Sequence, residues 1–355
     1  MKLASTIMCA SLLLAGAGCR GSVSEPVASA PDAVLWSFAD RSAALKDASC
    51  PDGAGRGYEL STLITVDPVP LGEASEVSDA LKGMAFRGGW ALSAPLASFG
   101  GLSGLDVLPG GDLLAVSDSG SFVQIGFDQQ AVQPTGQATI AFMQDAEGTI
   151  VSGKENADAE GLAYRDGLAL VSFERNHRVL AFDYAACGSN ARGIEVASID
   201  SRPETLGRSI RGNAGAEALT LDGDALMLGL ETVARGAGPT AMVDENGQAR
   251  FDQKSWLETK GVPLVGMDAT PDALFSLQRA YNPLTGNTIY VRHTDAAGTR
   301  LLAKLEKPLA VDNFEGIAVE TIEGSTRIFL IADDNFSDDQ RTLLFVFELN
   351  SQKLD

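Results

Sequence analysis

The chain has 355 residues and a mass of 37.1 kDa, enough for one large domain or two ordinary ones with a well-buried core. Acids outnumber bases 47 to 27, and the resulting net charge of −20 repels polyanions, which argues against binding to nucleic acid or to anionic membranes. Only two histidines are present, His177 and His293, which excludes a multi-histidine metal site.

Residues 1–19, MKLASTIMCASLLLAGAGC, read as an export signal. Lys2 supplies the positive start, and the uncharged apolar run of residues 3–15 is too short to span a bilayer. Two cleavage sites compete. Ala15-Gly16-Ala17 fits ordinary signal peptidase, whereas Gly16-Ala17-Gly18-Cys19 reads as a bacterial lipobox with Gly16 where Leu is usual. Cysteine usage favours the lipobox: Cys9 leaves with the signal, Cys19 takes the lipid, and Cys50 and Cys187 remain as one disulfide in an oxidising compartment. The alternative for that pair is two buried thiols. The expected location is the bacterial cell envelope, facing the periplasm from a lipid anchor, or outside the cell. Residues 20–54, rich in Ala, Ser, Pro and Asp, form a tether and first segment, with 20–32 as a flexible spacer ahead of a domain at 55–355.

Beyond the spacer, stretches 58–66 and 90–96 alternate as strands do, and then a repeat begins. LSGLDVLPGGDLLAVSDSG (102–120), AEGLAYRDGLALVSFERN (159–176), AEALTLDGDALMLGLET (216–232) and FEGIAVETIEGSTRIFLIADDN (314–335) align, with a degenerate VGMDATPDALFSLQRA (265–280) between the last two. Each is an alternating strand, a turn of Gly, Asp or Pro, and a second alternating strand: a β-hairpin. Their anchors, Ser103, Glu160, Glu217, Val265 and Glu315, are 57, 57, 48 and 50 residues apart, the spacing of propeller blades. The fold class is therefore all-β, a single β-propeller of four-stranded antiparallel blades. Division of the exported length by the mean step predicts six blades, the sixth built from 58–66 and 90–96 with the C-terminal strand 343–349.

The acids fall in register within this repeat. Residues that pair across an antiparallel turn have a constant sum of positions. By that rule Glu160 meets Glu174, Glu217 meets Glu231, and Glu315 meets Asp333, each at the open end of its hairpin. The first repeat keeps one acid, Asp118, opposite Ser103, and the degenerate one offers Val265 and Gln278. If the hairpins share an orientation, these carboxylates and Asp334 converge on one mouth. Two like charges 4 Å apart repel by about 4 kcal/mol at an effective dielectric near 20. Such a cluster must either hold protons or bind a hard divalent cation, and an all-oxygen donor set suits Ca²⁺. The plainer alternative is hairpin-end acids that bond backbone amides or solvent. Arg175, and Arg279 in the matching place after Gln278, would pair with these acids or bind an anionic group. His177 is the one candidate acid–base group near this rim with a pKa close to neutral, while His293 reads as a strand residue. There is no G-x-S-x-G elbow, no phosphate-cradling Gly loop and no zinc spacing of cysteines.

FGGLSGLDVLPGGDLLAVSDSG, DAEGLAYRDGLALVSFERNHRV, GNAGAEALTL, and NFEGIAVE with ADDNF and QRTLLFVFEL resemble the phytase-like, "esterase-like activity of phytase" family of secreted and lipoprotein bacterial proteins, over residues 55–350. The resemblance implies a phosphoesterase-type activity carried by Asp118, Glu160, Glu174, Glu217, Glu231, Glu315, Asp333 and Asp334. In the reading that follows, Asp118, Glu174, Glu231, Asp333 and Asp334 hold Ca²⁺. Glu160, Glu217 or Glu315 accepts a proton from water, and Arg175, His177, Arg279 and Asn335 contact the substrate, a phosphate ester or another ester. The competing expectation is a non-catalytic envelope propeller with a structural calcium. In neither is nucleic acid a partner, and the membrane is met only through the lipid.

Overall fold

A computed structural model of the chain describes residues 34–350 apart from Ala54, Arg211 and Asn213. The export signal, Cys19 and the 20–32 spacer lie outside the described residues. Each of the five hairpins supplies the first two strands of an antiparallel sheet, and the first strands stand side by side around an axis. These inner strands are Leu102–Val107, Ala159–Arg165, Ala216–Asp222, Leu264–Ala269 and Phe314–Ile322, in blades one to five. Contact between the first and the last closes the ring.

The propeller has five blades, not six. All the material expected to form a sixth joins existing sheets. Leu60–Leu63 pairs with Gln133–Phe142 at the outer edge of blade one. Met84–Ser93 is the fourth strand of blade five, paired with Thr342–Leu349 from Thr342↔Leu92 to Leu349↔Met84, and Thr65–Pro68 is added outside it. The two ends of the propeller thus share one blade, and the two extra strands cover edges that would otherwise be open. The length-based count also included the residues ahead of Leu60, and those of them that are described form no blade.

Among these, Phe38–Ser49 is a helix, capped by Ser37 Oγ accepting from Asp40 N at 3.3 Å. Phe38 and Leu45 pack it into the core between blades two and three, beside Leu168, Val196 and Leu226. Just past its end, Cys50 is disulfide-bonded to Cys187 at the end of the short helix Tyr184–Cys187.

The blades pack face to face, so their strands are apolar on both faces: every residue of Leu168–Phe173 and of Leu113–Ser117 is buried. Two carboxylates tie neighbouring blades together near the hairpin turns. Asp106 accepts from Val107 N at 2.6 Å and from Tyr164 N of blade two at 2.5 Å. Asp268 accepts from Ala269 N at 2.7 Å and from Val319 N of blade five at 2.6 Å. At the other end of the axis each inner strand carries a β-bulge. In four blades a glycine lies at or just after the bulge, packed against the next inner strand. A β-carbon on Gly104 would lie 2.7 Å from Glu160 O, on Gly266 2.6 Å from Glu315 O, and on Gly316 2.1 Å from Ser103 O. These close approaches hold the bulged residues around a narrow axis.

Candidate active site

The bulges and the ends of the second strands build one mouth. In four blades the residue that follows the second strand, and in blade four Arg279 within that strand, donates its backbone N–H to the carbonyl two residues before the bulged position. The bonds are Asp118 to Gly101 (3.0 Å), Glu174 to Asp158 (2.8 Å), Glu231 to Gly215 (3.1 Å), Arg279 to Pro263 (3.2 Å) and Asp333 to Asn313 (3.0 Å). The bulged positions are Ser103, Glu160, Glu217, Val265 and Glu315. Three positions per blade are thereby set at the same end, and the hairpins share one orientation.

Blade four corrects the sequence register. Leu264 pairs with Gln278, as Ala159 pairs with Phe173, so Arg279 and not Gln278 stands where the other blades have an acid. The four-residue turn between Ala269 and Leu274 left the midpoint rule one position uncertain. Gln278 is buried inside the blade, where it accepts from Arg292 Nε at 2.9 Å.

Arg279 organises one half of the mouth. Its Nη2 lies 3.1 Å from both Glu231 Oε1 and Glu315 Oε1, and its Nη1 donates to Asn313 Oδ1. Asn313 Nδ2 donates in turn to Glu315 Oε1 at 2.9 Å and to Asp333 Oδ2 at 3.4 Å, while Ser103 Oγ reaches Glu315 Oε2 at 3.2 Å. Among the described residues the other half has fewer donors. There Asp158, Glu160 and Glu174 each present an oxygen, all within 4.8 Å of one another. Arg175 Nε pairs with Asp158 Oδ2 at 2.5 Å, and Gly215 N donates to Glu174 Oε1 at 3.2 Å. Between the halves Glu217 is only 8% exposed, and among the described residues no donor reaches its carboxylate. Glu217 and Glu315 line an axial cavity of about 10 Å³, room for roughly one water.

Burial and mutual repulsion push Glu160, Glu174, Glu217 and Asp333 up. Glu174 rises to about 7, mainly through burial, with Asp158 and Glu231 adding to it against the Gly215 N–H. Asp333 rises to about 8, through burial and then Glu315. Glu160 and Glu217 are driven well above the usual range, first by burial and then by neighbouring acids. The folded chain therefore keeps protons that the unfolded chain releases above about pH 4.5. Between there and about pH 8 the folded state binds more protons, so ion-free stability falls as pH rises across this interval. In chelator we expect a melting temperature lower at pH 8 than at pH 5, by on the order of 5 °C. Calorimetric melting checks this, and a value that rises across the interval would contradict it.

The remaining sequence candidates take varied places. Asp118 sits 3.9 Å from Lys154 Nζ at the edge of the cluster. Asp334 accepts from Gly101 N (2.8 Å), Phe336 N (3.0 Å) and Thr342 Oγ1 (2.9 Å), so it ties blade five to blade one rather than facing the axis. Asn335 is exposed in a left-handed turn and bonds Gln340 Oε1 at 3.0 Å. His177 is half-buried beside Glu174. Its Nδ1 has no partner among the described residues, and burial lowers its pKa. A β-carbon at Gly215 would lie 2.7 Å from that nitrogen, so the glycine makes room for the ring. Sequence reasoning missed Asp158 and Asn313. Both stand two residues before the repeat glutamate, in DAEG and NFEG, a matching offset that was open to inspection.

The family model for the phytase-like proteins, described as "esterase-like activity of phytase", matches residues 97–336. The chain belongs to the phytase-like family. The match starts just before the first inner strand and ends past Asp333, so it takes in all five hairpins that build the acidic mouth. No curated protein sequence matches this phytase-like chain. Among solved structures it is similar to the α-L-arabinofuranosidase PaAbf62A from Podospora anserina in complex with cellotriose, at 12% identity and a TM-score of 0.46, covering 82% of this chain and 98% of that one. It is also similar to the PQQ-bound aldose sugar dehydrogenase from Streptomyces coelicolor, at 13% identity and a TM-score of 0.41, over 76% of this chain and 97% of that one. The PQQ domain of pyranose dehydrogenase from Coprinopsis cinerea gives 11%, 0.38, 84% and 99% respectively. Likenesses at these scores say nothing about the reaction of the phytase-like chain.

Proposed function

We propose that this phytase-like propeller is a Ca²⁺-dependent hydrolase of phosphate esters, working at its acidic mouth in the bacterial cell envelope or outside the cell. The observation that supports it is the blade-two group: Asp158, Glu160 and Glu174 bring three carboxylate oxygens within 4.8 Å of one another. The donor set fits the ion, because carboxylate oxygens without nitrogen or sulfur suit calcium. Bound there, a cation would offset the charge of a phosphoryl group and polarise its oxygen. Asp118 and Glu231 flank the group from blades one and three and Asp333 lies beside Glu315 in blade five, while Asp334, held by its three donors, belongs to the loop.

The chain's own residues supply the rest. Glu160, Glu217 and Glu315 face the axis and are the groups placed to exchange a proton with water or a leaving oxygen. Arg175 holds Asp158 through Nε, and among the described residues its terminal nitrogens have no other partner, so they are available to an anion. The axial cavity is too small for an ester, which supports a reading in which the substrate lies over the mouth. The Cys50–Cys187 disulfide supports an oxidising compartment, with Cys19 as the site of a lipid anchor.

The narrowness of that cavity favours a second reading, a non-catalytic propeller that binds a ligand or protein and keeps calcium for structure. The purified protein should be assayed on phosphomonoesters, phosphodiesters and carboxylic esters, with Ca²⁺ and with chelator. Turnover that needs calcium and is lost in Glu217→Gln at an unchanged melting temperature is the expected result. A calcium-dependent rise in melting temperature with no turnover on any ester would sink the hydrolase and leave the binding propeller.

A further inference from the structure

Blades two and five carry corresponding three-residue groups that differ in one functional group and in the length of one acid. Asp158, Glu160 and Glu174 in blade two correspond to Asn313, Glu315 and Asp333 in blade five, by bulge register and by the shared backbone bond. In blade five the asparagine amide bonds both neighbouring acids, and Arg279 bonds the asparagine and Glu315. That group is closed by donors from the chain itself. In blade two the amide is replaced by a third carboxylate, and among the described residues the guanidinium that bonds this group, that of Arg175, reaches Asp158 through Nε. A separate observation lies alongside: Glu217, more than nine-tenths buried, has no donor among the described residues and lines the axial cavity. A buried polar group without a partner in the chain points to a partner from outside it. Arg279, meanwhile, stands in blade four at the register position that is acidic in the four other blades.

We propose that the mouth binds a single divalent cation, through Asp158, Glu160 and Glu174 of blade two, and that Arg279 with Asn313 takes the place of a second cation in blade five. This rests on the calcium reading above and adds the count, the location and the residues that set them. Asp158 and Asn313 have the same shape and differ in whether that position donates or accepts. With a donor the acids are satisfied within the protein; with a third acceptor they require a cation. Arg279 then acts as a fixed counter-ion for Glu231 and Glu315, whose charge the neutral donors Asn313 and Ser103 leave unbalanced.

Isothermal titration of the whole exported protein with CaCl₂ at pH 7.5, together with circular dichroism of each variant, tests this. The wild type is expected to bind one ion. Asp158→Asn, which reproduces blade five, should stay folded and bind none, and Arg279→Gln should bind two. Two or more ions in the wild type, a retained ion in Asp158→Asn, or one ion in a folded Arg279→Gln would each overturn the proposal while leaving calcium dependence intact. No ion in the wild type would instead remove the calcium reading itself, and this proposal with it. Should Arg279→Gln not fold even with calcium, the other two stoichiometries decide.

Discussion

Arg279→Gln is expected to lower unfolding stability in chelator by about 3–5 kcal/mol, the usual consequence of removing one partner from a buried charge group. The side chain is 17% exposed and lies 3.1 Å from Glu231 and from Glu315, so its loss leaves two largely buried carboxylates without a cation. Asn313 loses its acceptor contact at the same time, which loosens the amide that bonds Asp333. Arg279→Lys should recover only part of the loss. An ammonium can neutralise charge there, but it cannot fork between two carboxylates and an amide oxygen from one planar group. Urea unfolding at pH 7.5 reads both variants. A difference below about 1 kcal/mol for the glutamine variant would mean that protons, rather than Arg279, balance these acids.

The parts of this site that are legible in the sequence are those fixed by short-range rules. A hairpin's turn determines which residues meet at its open end, so Glu160 with Glu174, Glu217 with Glu231 and Glu315 with Asp333 could be matched by position alone. The shared orientation of the hairpins follows from the repeat. What escaped was set by longer-range pairing or by bulges. Blade number depended on where Met84–Ser93 would find its partner, and that partner is Thr342–Leu349 at the far end of the chain. The Arg279 register turned on a single residue at a bulge opposite a four-residue turn. The helix Phe38–Ser49 was illegible for another reason. It buries only Phe38, Leu45 and Ser49, too few for an apolar stripe, and it is held by docking and by the neighbouring disulfide instead. Asp158 was overlooked because an acid ahead of a strand reads as a loop residue until its blade-five counterpart, Asn313, is seen to hold two carboxylates.

The glycines beside the bulges should prove the least replaceable residues of the ring. Gly316→Ala would put a β-carbon 2.1 Å from Ser103 O and 2.6 Å from Ile331 Cγ2, and a backbone carbonyl has no rotamer by which to yield. The inner strands of blades five and one would have to separate by roughly an ångström, and overpacking of that kind costs about 1–3 kcal/mol or more in a packed core. Here the strain falls where the ring closes and beneath Glu315, so we expect the upper end of that range. Blade three shows how a β-carbon can be accommodated. It has Ala218 at this position, and its cross-strand partner is Gly229, whereas Gly316 faces Ile331 and Gly161 faces Ser172. The small residue has moved to the opposite strand. Gly229→Ala should accordingly be disruptive in blade three, since its β-carbon would lie 2.3 Å from Leu264 Cδ2 and 3.0 Å from Ala218 Cβ. Ala218→Gly should cost only the backbone entropy of a strand glycine, on the order of 1 kcal/mol. Guanidinium unfolding of the three variants would order them Gly316→Ala, Gly229→Ala, Ala218→Gly from most to least destabilised. The leucine side chain facing Gly229 can shift, and the carbonyl facing Gly316 cannot. A Gly316→Ala protein as stable as the wild type would show that contact between the inner strands does not hold the ring closed.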